Sequence, residues 1–536
     1  MASRRARVAT VAALAVLLAV PLVAGALSAG TPAALLSLPV ESIVVVLLLV
    51  AVASPRWRAV VAGVFGAVVV AAVLAAALDA GFRATIDRGF SPAEDAPAVV
   101  SAVGVVADAA GPVNAGLLVA LVAGVLAAAA VVLARCALRV GRVAARSEGA
   151  GRIAITAVAA AWIVGALAGT QLVPGVPLAA AESARALAAT AARTAQSVRD
   201  QADFQRALAS DPLRDAPDGG LFGALAGKDV VIVFVESYGE VAVRDSAFTQ
   251  GVAQTLREGG EQLTRDGYSA QSALLTSPTF GGVSWLAHAT LHSGVWADSP
   301  QKYDSLTSSD RLTLARLFAD AGWRTVSVVP SNTGTWPVGR SFYGYDAMLD
   351  AGNLGYTGPA FSYARVPDQF TLQAFHDREL TGSHAPVMAE IDLVSSHTPW
   401  TPLPRLVPWS EVADASVFDA QPAQDPAPIE LWADPHRVQE MYGESVEYSL
   451  GALFTYLHAY DQPNLVLVML GDHQPARIVS GADADHDVPV TIIAKDPAVF
   501  ARIASWRWEP GVRPSADAPV WRMDAFRDRF VDAFTP

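Results

Sequence analysis

Five stretches of this chain are each long and apolar enough to cross a bilayer as a helix: 8–26, 35–53, 59–78, 115–134 and 153–172. Such a crossing takes about 20 residues, so the N-terminal part is expected to be a five-span membrane domain. Composition agrees. Of 536 residues, 52% are hydrophobic and 17% charged, against roughly 25% charged in ordinary soluble domains. Disorder is excluded, because it requires low hydrophobicity. A net charge of −13 offers no basic footprint for nucleic acid. Cys136 is the single cysteine, which leaves no intrachain disulfide and no Cys-rich zinc site.

Loop charges orient the spans. Arg4, Arg5 and Arg7 precede the first, Arg56 and Arg58 follow the second, and Arg135, Arg139, Arg142, Arg146 and Arg152 follow the fourth. The loop after the third span instead carries Asp79, Asp87, Glu94, Asp95 and Asp108 against Arg83 and Arg88. Positive loops stay in the cytoplasm. The N-terminus is therefore expected inside and everything after the fifth span outside, in a multi-pass protein of the cell membrane. The first apolar run is longer than the core of a secretory signal and reads as an anchor. Glu41 is the one acid inside a span, near its outer end, where its side chain can reach the interface.

The expected domain map is a membrane domain at 1–175, a helical linker at 176–227 and an extracytoplasmic domain at 228–536. In the last, short apolar runs at 229–236, 324–330, 386–394, 464–470 and 488–494 read as buried strands. Helical patterns such as 309–321 and 439–459 alternate with them. This alternation predicts an α/β domain with a doubly wound, mostly parallel sheet, whose ligand crevice lies beyond the carboxyl ends of the strands.

Polar residues gather at those ends. Glu236 follows the first run, in Glu236-Ser237-Tyr238-Gly239, and Asp472-His473 follow the fourth after Gly471. His397 lies after the third, and His486 just before the last. Two carboxylates and an imidazole converging there suit a divalent cation. Each alone is equally a helix cap or a solvated loop residue.

A nucleophile is expected between the first two runs. In 276–296, Gly281-Gly282 permit a sharp turn, after which Ser284 opens a helix-compatible segment. A serine at a helix N-terminus feels partial positive charge, and beside a metal its hydroxyl can be activated toward phosphorus. Ser284 is otherwise a plain N-cap, and Thr279 is the rival nucleophile.

Taken in order, Glu236-Ser237-Tyr238-Gly239, the Gly281-Gly282-Val283-Ser284 helix start, Ser395-Ser396-His397-Thr398-Pro399-Trp400, Gly471-Asp472-His473-Gln474-Pro475 and His486-Asp487-Val488-Pro489-Val490 resemble the alkaline phosphatase/sulfatase superfamily. With the spans, the chain looks like its membrane-bound phosphotransferase branch, which includes lipoteichoic acid synthases and phosphoglycerol transferases. The resemblance implies one divalent metal, Mn²⁺ or Mg²⁺ ahead of Zn²⁺, held by Glu236, Ser284, Asp472 and His473. It favours Ser284 over Thr279 as nucleophile. It implies phosphate contact or leaving-group protonation by His397 and His486, and a head-group pocket near Trp336 and Arg340. Asp368 matches a recurrent family position with no assigned role.

The implied activity is transfer of a phospho-alcohol group, such as glycerol phosphate, from a membrane phospholipid to an envelope glycan or polymer through a covalent phosphoserine or phosphothreonine. The alternatives are a phosphodiesterase or phosphatase using water, and an inactive envelope scaffold. Sulfatases need Pro and Arg two and four residues after the nucleophile, where Leu286 and His288 stand. A complete second set of carboxylates and histidines, as two-metal phosphatases carry, is not read from the sequence.

Overall fold

The computed structural model describes residues 2–95, 112–146, 168–173, 176–214 and 220–535, with isolated positions from 157 to 165. The chain forms two compact units, Met1–Ala84 with Arg88–Asp200, and Thr85–Asp87 with Gln201–Pro536.

In the first unit the helices are α1 (Ala2–Ala29), α2 (Val40–Ala51), α3 (Pro55–Ile86) and α4 (Pro112–Ala145). Helix α5 (Glu182–Ala209) carries the chain on to the second unit. Three of these, α1, α3 and α4, are long and apolar enough to cross a membrane. Leu17, Val45, Leu49, Phe65, Val69 and Leu133 form their shared core. At Gly66 a Cβ would stand 2.3 Å from the Ala130 carbonyl oxygen, so a glycine there lets α3 and α4 approach closely. Leu117, Leu121 and Val125 of α4 are 62%, 64% and 58% exposed. Apolar surface of that extent on a spanning-length helix suits lipid.

Two expected spans differ from this picture. The segment 35–53 is α-helical only over the twelve residues of α2, because Pro39 lacks an N–H and disfavours helix in the residue before it. The segment 153–172 lies partly outside the described residues. Glu41 sits in the first turn of α2 and accepts the backbone N–H of Ala184 at 3.1 Å, near the N-terminus of α5, where negative charge is favoured.

The second unit is built on a nine-stranded sheet. Its strands are β1 (Asp229–Val235), β2 (Ser269–Thr276), β3 (Arg324–Val329), β4 (Ala347–Asp350), β5 (Val387–Leu393), β6 (Leu465–Gly471), β7 (Asp487–Ala494), β8 (Glu509–Pro510) and β9 (Val520–Arg522). The order is β8-β2-β7-β6-β1-β5-β3-β4, with β9 also paired to β2. From β6 to β4 every pair is parallel, whereas β7 runs antiparallel to both β6 and β2. The sheet is thus mixed and mostly parallel.

Helices cover both faces. Val231, Val233 and Val235 of β1 enter a core with Val252 and Leu256 of α6 (Gln250–Arg265). The alternate Val230, Ile232 and Phe234 enter a core with Leu291 of α7 (Trp285–Ser293) and Phe318 of α8 (Leu314–Asp320). A strand buried on both sides reads as an unbroken apolar run, and each fully buried large side chain contributes about 1.5–3 kcal/mol. Helix α9 (Pro435–Ala459) begins where the Asp434 side chain accepts the His436 N–H and Pro435 takes the first helical position.

Register sets up the site. Val235 pairs with Gly471 of β6 and with Leu393 of β5. The carboxyl ends of these central strands are therefore flush.

Candidate active site

Glu236 leaves β1 at this edge and Asp472-His473 leave β6 beside it. The two loops touch so closely that both need glycine. A Cβ on Gly471 would stand 1.9 Å from the Tyr238 carbonyl oxygen, and one on Gly239 would stand 2.1 Å from Gln474 Oε1. Ser237, at φ +56°, is held in a conformation that non-glycine residues avoid. It donates its N–H to Asp472 Oδ1 at 2.8 Å and its hydroxyl to Glu236 Oε1 at 3.0 Å.

Ser284 arrives from the turn after β2. Val283, a β-branched residue, also has a positive φ, +58°, a strained setting directly before the serine. Ser284 precedes α7, but its side chain makes no capping bond. Its hydroxyl instead donates to Glu236 Oε2 at 2.9 Å and lies 3.2 Å from His473 Nε2. Thr279 is buried and donates its hydroxyl to the Gly282 carbonyl at 2.6 Å, which closes the turn.

His473 Nδ1 lies 2.8 Å from the Gln474 carbonyl oxygen, which can only accept, so Nδ1 carries a proton and Nε2 faces the site. That nitrogen is 3.3 Å from Glu236 Oε1 and 3.6 Å from Asp472 Oδ2. Asp472 Oδ2 is buried with no hydrogen-bond partner. The ligand atoms of Glu236, Asp472 and His473 all lie within 4.8 Å of one another. This N/O donor set, with an orphaned carboxylate oxygen, fits a divalent cation. Electrostatics point the same way. Burial opposes charge on His473, yet Asp472 and Glu236 push its pKa up to about 9. Burial, and then the Glu236 charge, push Asp472 up to about 6. The cluster favours added positive charge.

The site opens into a cavity of about 390 Å³ lined also by His397, Trp336, Tyr363, Asp392 and Glu390. His397 is stacked on Tyr363, with ring centroids 3.5 Å apart, and its Nδ1 contacts the Thr398 carbonyl. Asp368 holds the preceding loop. It accepts the Ser395 N–H at 3.0 Å and the Ser449 hydroxyl at 2.6 Å, while its own N–H reaches Ser395 Oγ at 3.2 Å. Burial raises its pKa to about 6.

No protein-family model and no curated protein matches this sequence. Solved structures do. The chain matches members of the alkaline phosphatase superfamily. One, from Vibrio parahaemolyticus, is 17% identical with a TM-score of 0.39, over 62% of this chain and 74% of that one. The integral membrane lipooligosaccharide phosphoethanolamine transferase A (EptA) from Neisseria meningitidis is 13% identical with a TM-score of 0.42, over 92% of each chain. The Streptococcus pyogenes phosphoglycerol transferase GacH is 12% identical with a TM-score of 0.35, over 62% of this chain and 90% of its own. These are likenesses of fold.

Of the residues singled out from sequence, Glu236, Ser284, Asp472 and His473 meet, and His397 and Trp336 line their cavity. His486 does not line it: its Nε2 lies 3.3 Å from Asp87 Oδ2 and its ring tilts against Phe280. Arg340 is exposed and lines a neighbouring depression, which Trp336 shares.

Sequence reasoning missed a polar group in the cavity wall. His288 Nδ1 lies 2.8 Å from Glu390 Oε1 and 3.6 Å from Asp392 Oδ1, and His292 Nε2 lies 2.7 Å from Glu390 Oε2. Two signals could have found it. Positions 284, 288 and 292 repeat every four residues along one helix face, and 390 and 392 share one face of a strand.

Proposed function

We propose that this chain is a membrane-anchored, cation-dependent phosphotransferase. It takes a phospho-alcohol group, such as glycerol phosphate, from a membrane phospholipid and passes it to an envelope glycan or polymer through a phosphoserine at Ser284. The reading is carried by one observation: Ser284 Oγ stands 2.9 Å from Glu236 Oε2 and 3.2 Å from His473 Nε2, beside the orphaned Asp472 Oδ2. A divalent cation bound by Glu236, Ser284, Asp472 and His473 supplies charge that acidifies the serine hydroxyl and neutralises phosphoryl oxygens.

The side chains perform the rest. In the first half-reaction the Ser284 Oγ–phosphorus bond forms as the phosphorus–oxygen bond to the lipid alcohol breaks. The serine proton leaves to solvent, and His397 protonates the departing diacylglycerol oxygen. In the second, an acceptor hydroxyl gives its proton to His397 and attacks phosphorus. The Oγ–phosphorus bond breaks, and Ser284 regains its proton from solvent. The partial positive charge at the start of α7 favours the anionic phosphoryl group. The loop charges put this domain on the extracytoplasmic side. The membrane anchor then confines it to the plane that holds its donor.

The test uses the full chain in vesicles with head-group-labelled phosphatidylglycerol and an envelope acceptor fraction. Label on Ser284 in a trapped intermediate, followed by label on the acceptor, is expected. Free glycerol phosphate as the sole product would replace transfer with hydrolysis, and absence of any label on Ser284 would remove the covalent step.

A further inference from the structure

The wall of the cavity that holds Ser284 carries chemistry that the transfer reading does not use. Glu390 and Asp392 project from one face of β5 toward His288, which follows Ser284 by a single helical turn. The three side chains place His288 Nδ1, Glu390 Oε1 and Asp392 Oδ1 within 4.8 Å of one another. The nitrogen-to-oxygen distances of 2.8 and 3.6 Å span the edge length of about 3.0–3.4 Å between neighbouring ligands at bonds of about 2.1 Å.

The geometry points to a second divalent-cation site formed by His288, Glu390 and Asp392 in the wall of the cavity that holds Ser284. Glu390 is met by His288, His292 and the Tyr345 hydroxyl, whereas Asp392 faces His288 only at 3.6 Å. Asp392 Oδ1 is buried without a hydrogen-bond partner. Among the described residues, the ion-pair partners within 4 Å of either carboxylate are histidines, with no Lys or Arg. The ligands are also oriented from behind, as metal sites require. The His288 ring is stacked on Phe234 with centroids 3.8 Å apart, and His292 Nε2 lies 2.7 Å from the other Glu390 oxygen. One imidazole and two carboxylates select Zn²⁺ or Mn²⁺ over Ca²⁺. All three residues line the cavity, so further coordination positions are open to water or to oxygens of a bound head group.

This inference requires no turnover and stands apart from the transfer reading. The full-length protein in detergent is stripped with chelator, re-equilibrated with Zn²⁺ or Mn²⁺, and its bound metal counted by mass spectrometry and calorimetric titration. Wild type is expected to bind two equivalents. Asp392→Asn and His288→Ala should each retain one and weaken the other by more than ~100-fold, with an unchanged circular dichroism spectrum. Asp472→Asn should lose the other equivalent. A single equivalent that survives both Asp392→Asn and His288→Ala but disappears in Asp472→Asn overturns the second site and leaves the transfer reading intact. A single equivalent with the reverse pattern removes the Ser284 centre and keeps this one.

Discussion

Thr279 closes the turn that presents Ser284, donating its hydroxyl to the Gly282 carbonyl at 2.6 Å. The two hydroxyls therefore predict different phenotypes. Ser284→Ala removes the attacking oxygen and should lower transfer by more than ~10⁴-fold with folding intact. Thr279→Ala loses one buried hydrogen bond, at a cost of about 1 kcal/mol, and should retain measurable turnover. Steady-state rates of both variants in vesicles check this. Full activity in Ser284→Ala would end the assignment.

Asp368 makes the second unit's stability depend on pH. Its folded pKa of about 6 lies above the ordinary 3.8, so the fold favours the neutral acid. That contribution is fully present below about pH 4 and is lost as pH rises through 6, amounting to about 3 kcal/mol. Asp368→Asn should flatten this decline. Melting curves of wild type and variant from pH 4 to 7 test it, and parallel curves across that window would refute it.

Arg527 is fully buried, with its Nη2 2.9 Å from Asp211 Oδ1, and Arg311 Nε lies 3.3 Å from Asp211 Oδ2. Asp211→Ala leaves Arg311 without that partner, and leaves Arg527 with the Leu312 carbonyl and the half-buried Asp528. A broken buried pair costs about 3–5 kcal/mol. Denaturant unfolding of the detergent-solubilised chain should show that loss. A change below 1 kcal/mol would mean that water replaces the carboxylate.

Tyr363 is stacked on His397, the imidazole proposed to serve both half-reactions. An aromatic pair contributes about 0.5–1.5 kcal/mol. Tyr363→Ala should therefore lower kcat by up to ~10-fold with Thr279-type folding integrity, while Tyr363→Phe stays near wild type. Equal losses in the two variants would instead implicate the phenol hydroxyl.

The central strands were legible because burial on both faces makes them apolar without interruption, and the acids ending them stand out against that background. Glu236 and Asp472 were found for this reason. Strand β2 was not, since three of the four residues Ser269-Ala270-Gln271-Ser272 are polar and the strand pairs near the sheet's edge. The antiparallel course of β7 has no local signature, because a strand's direction is decided by the strands it pairs with, here β6 and, 211 positions away, β2. His288, Glu390 and Asp392 each look ordinary alone. Their meeting depends on the docking of α7 against β5, which no single segment encodes. His486 was expected to reach the phosphate from its place before β7, yet its side chain turns to Asp87 and Phe280.

The antiparallel insertion of β7 beside β2 also has a consequence for synthesis. The turn bearing the serine emerges from the ribosome long before its support: Thr276 is bonded to Asp487, 211 positions later, and β8 and β9 come later still. Long-range pairing of this kind closes last. A nascent chain thus carries its apolar helices and its serine well before the strands that support that serine, and the proposed active site is complete only after translation of the final strands.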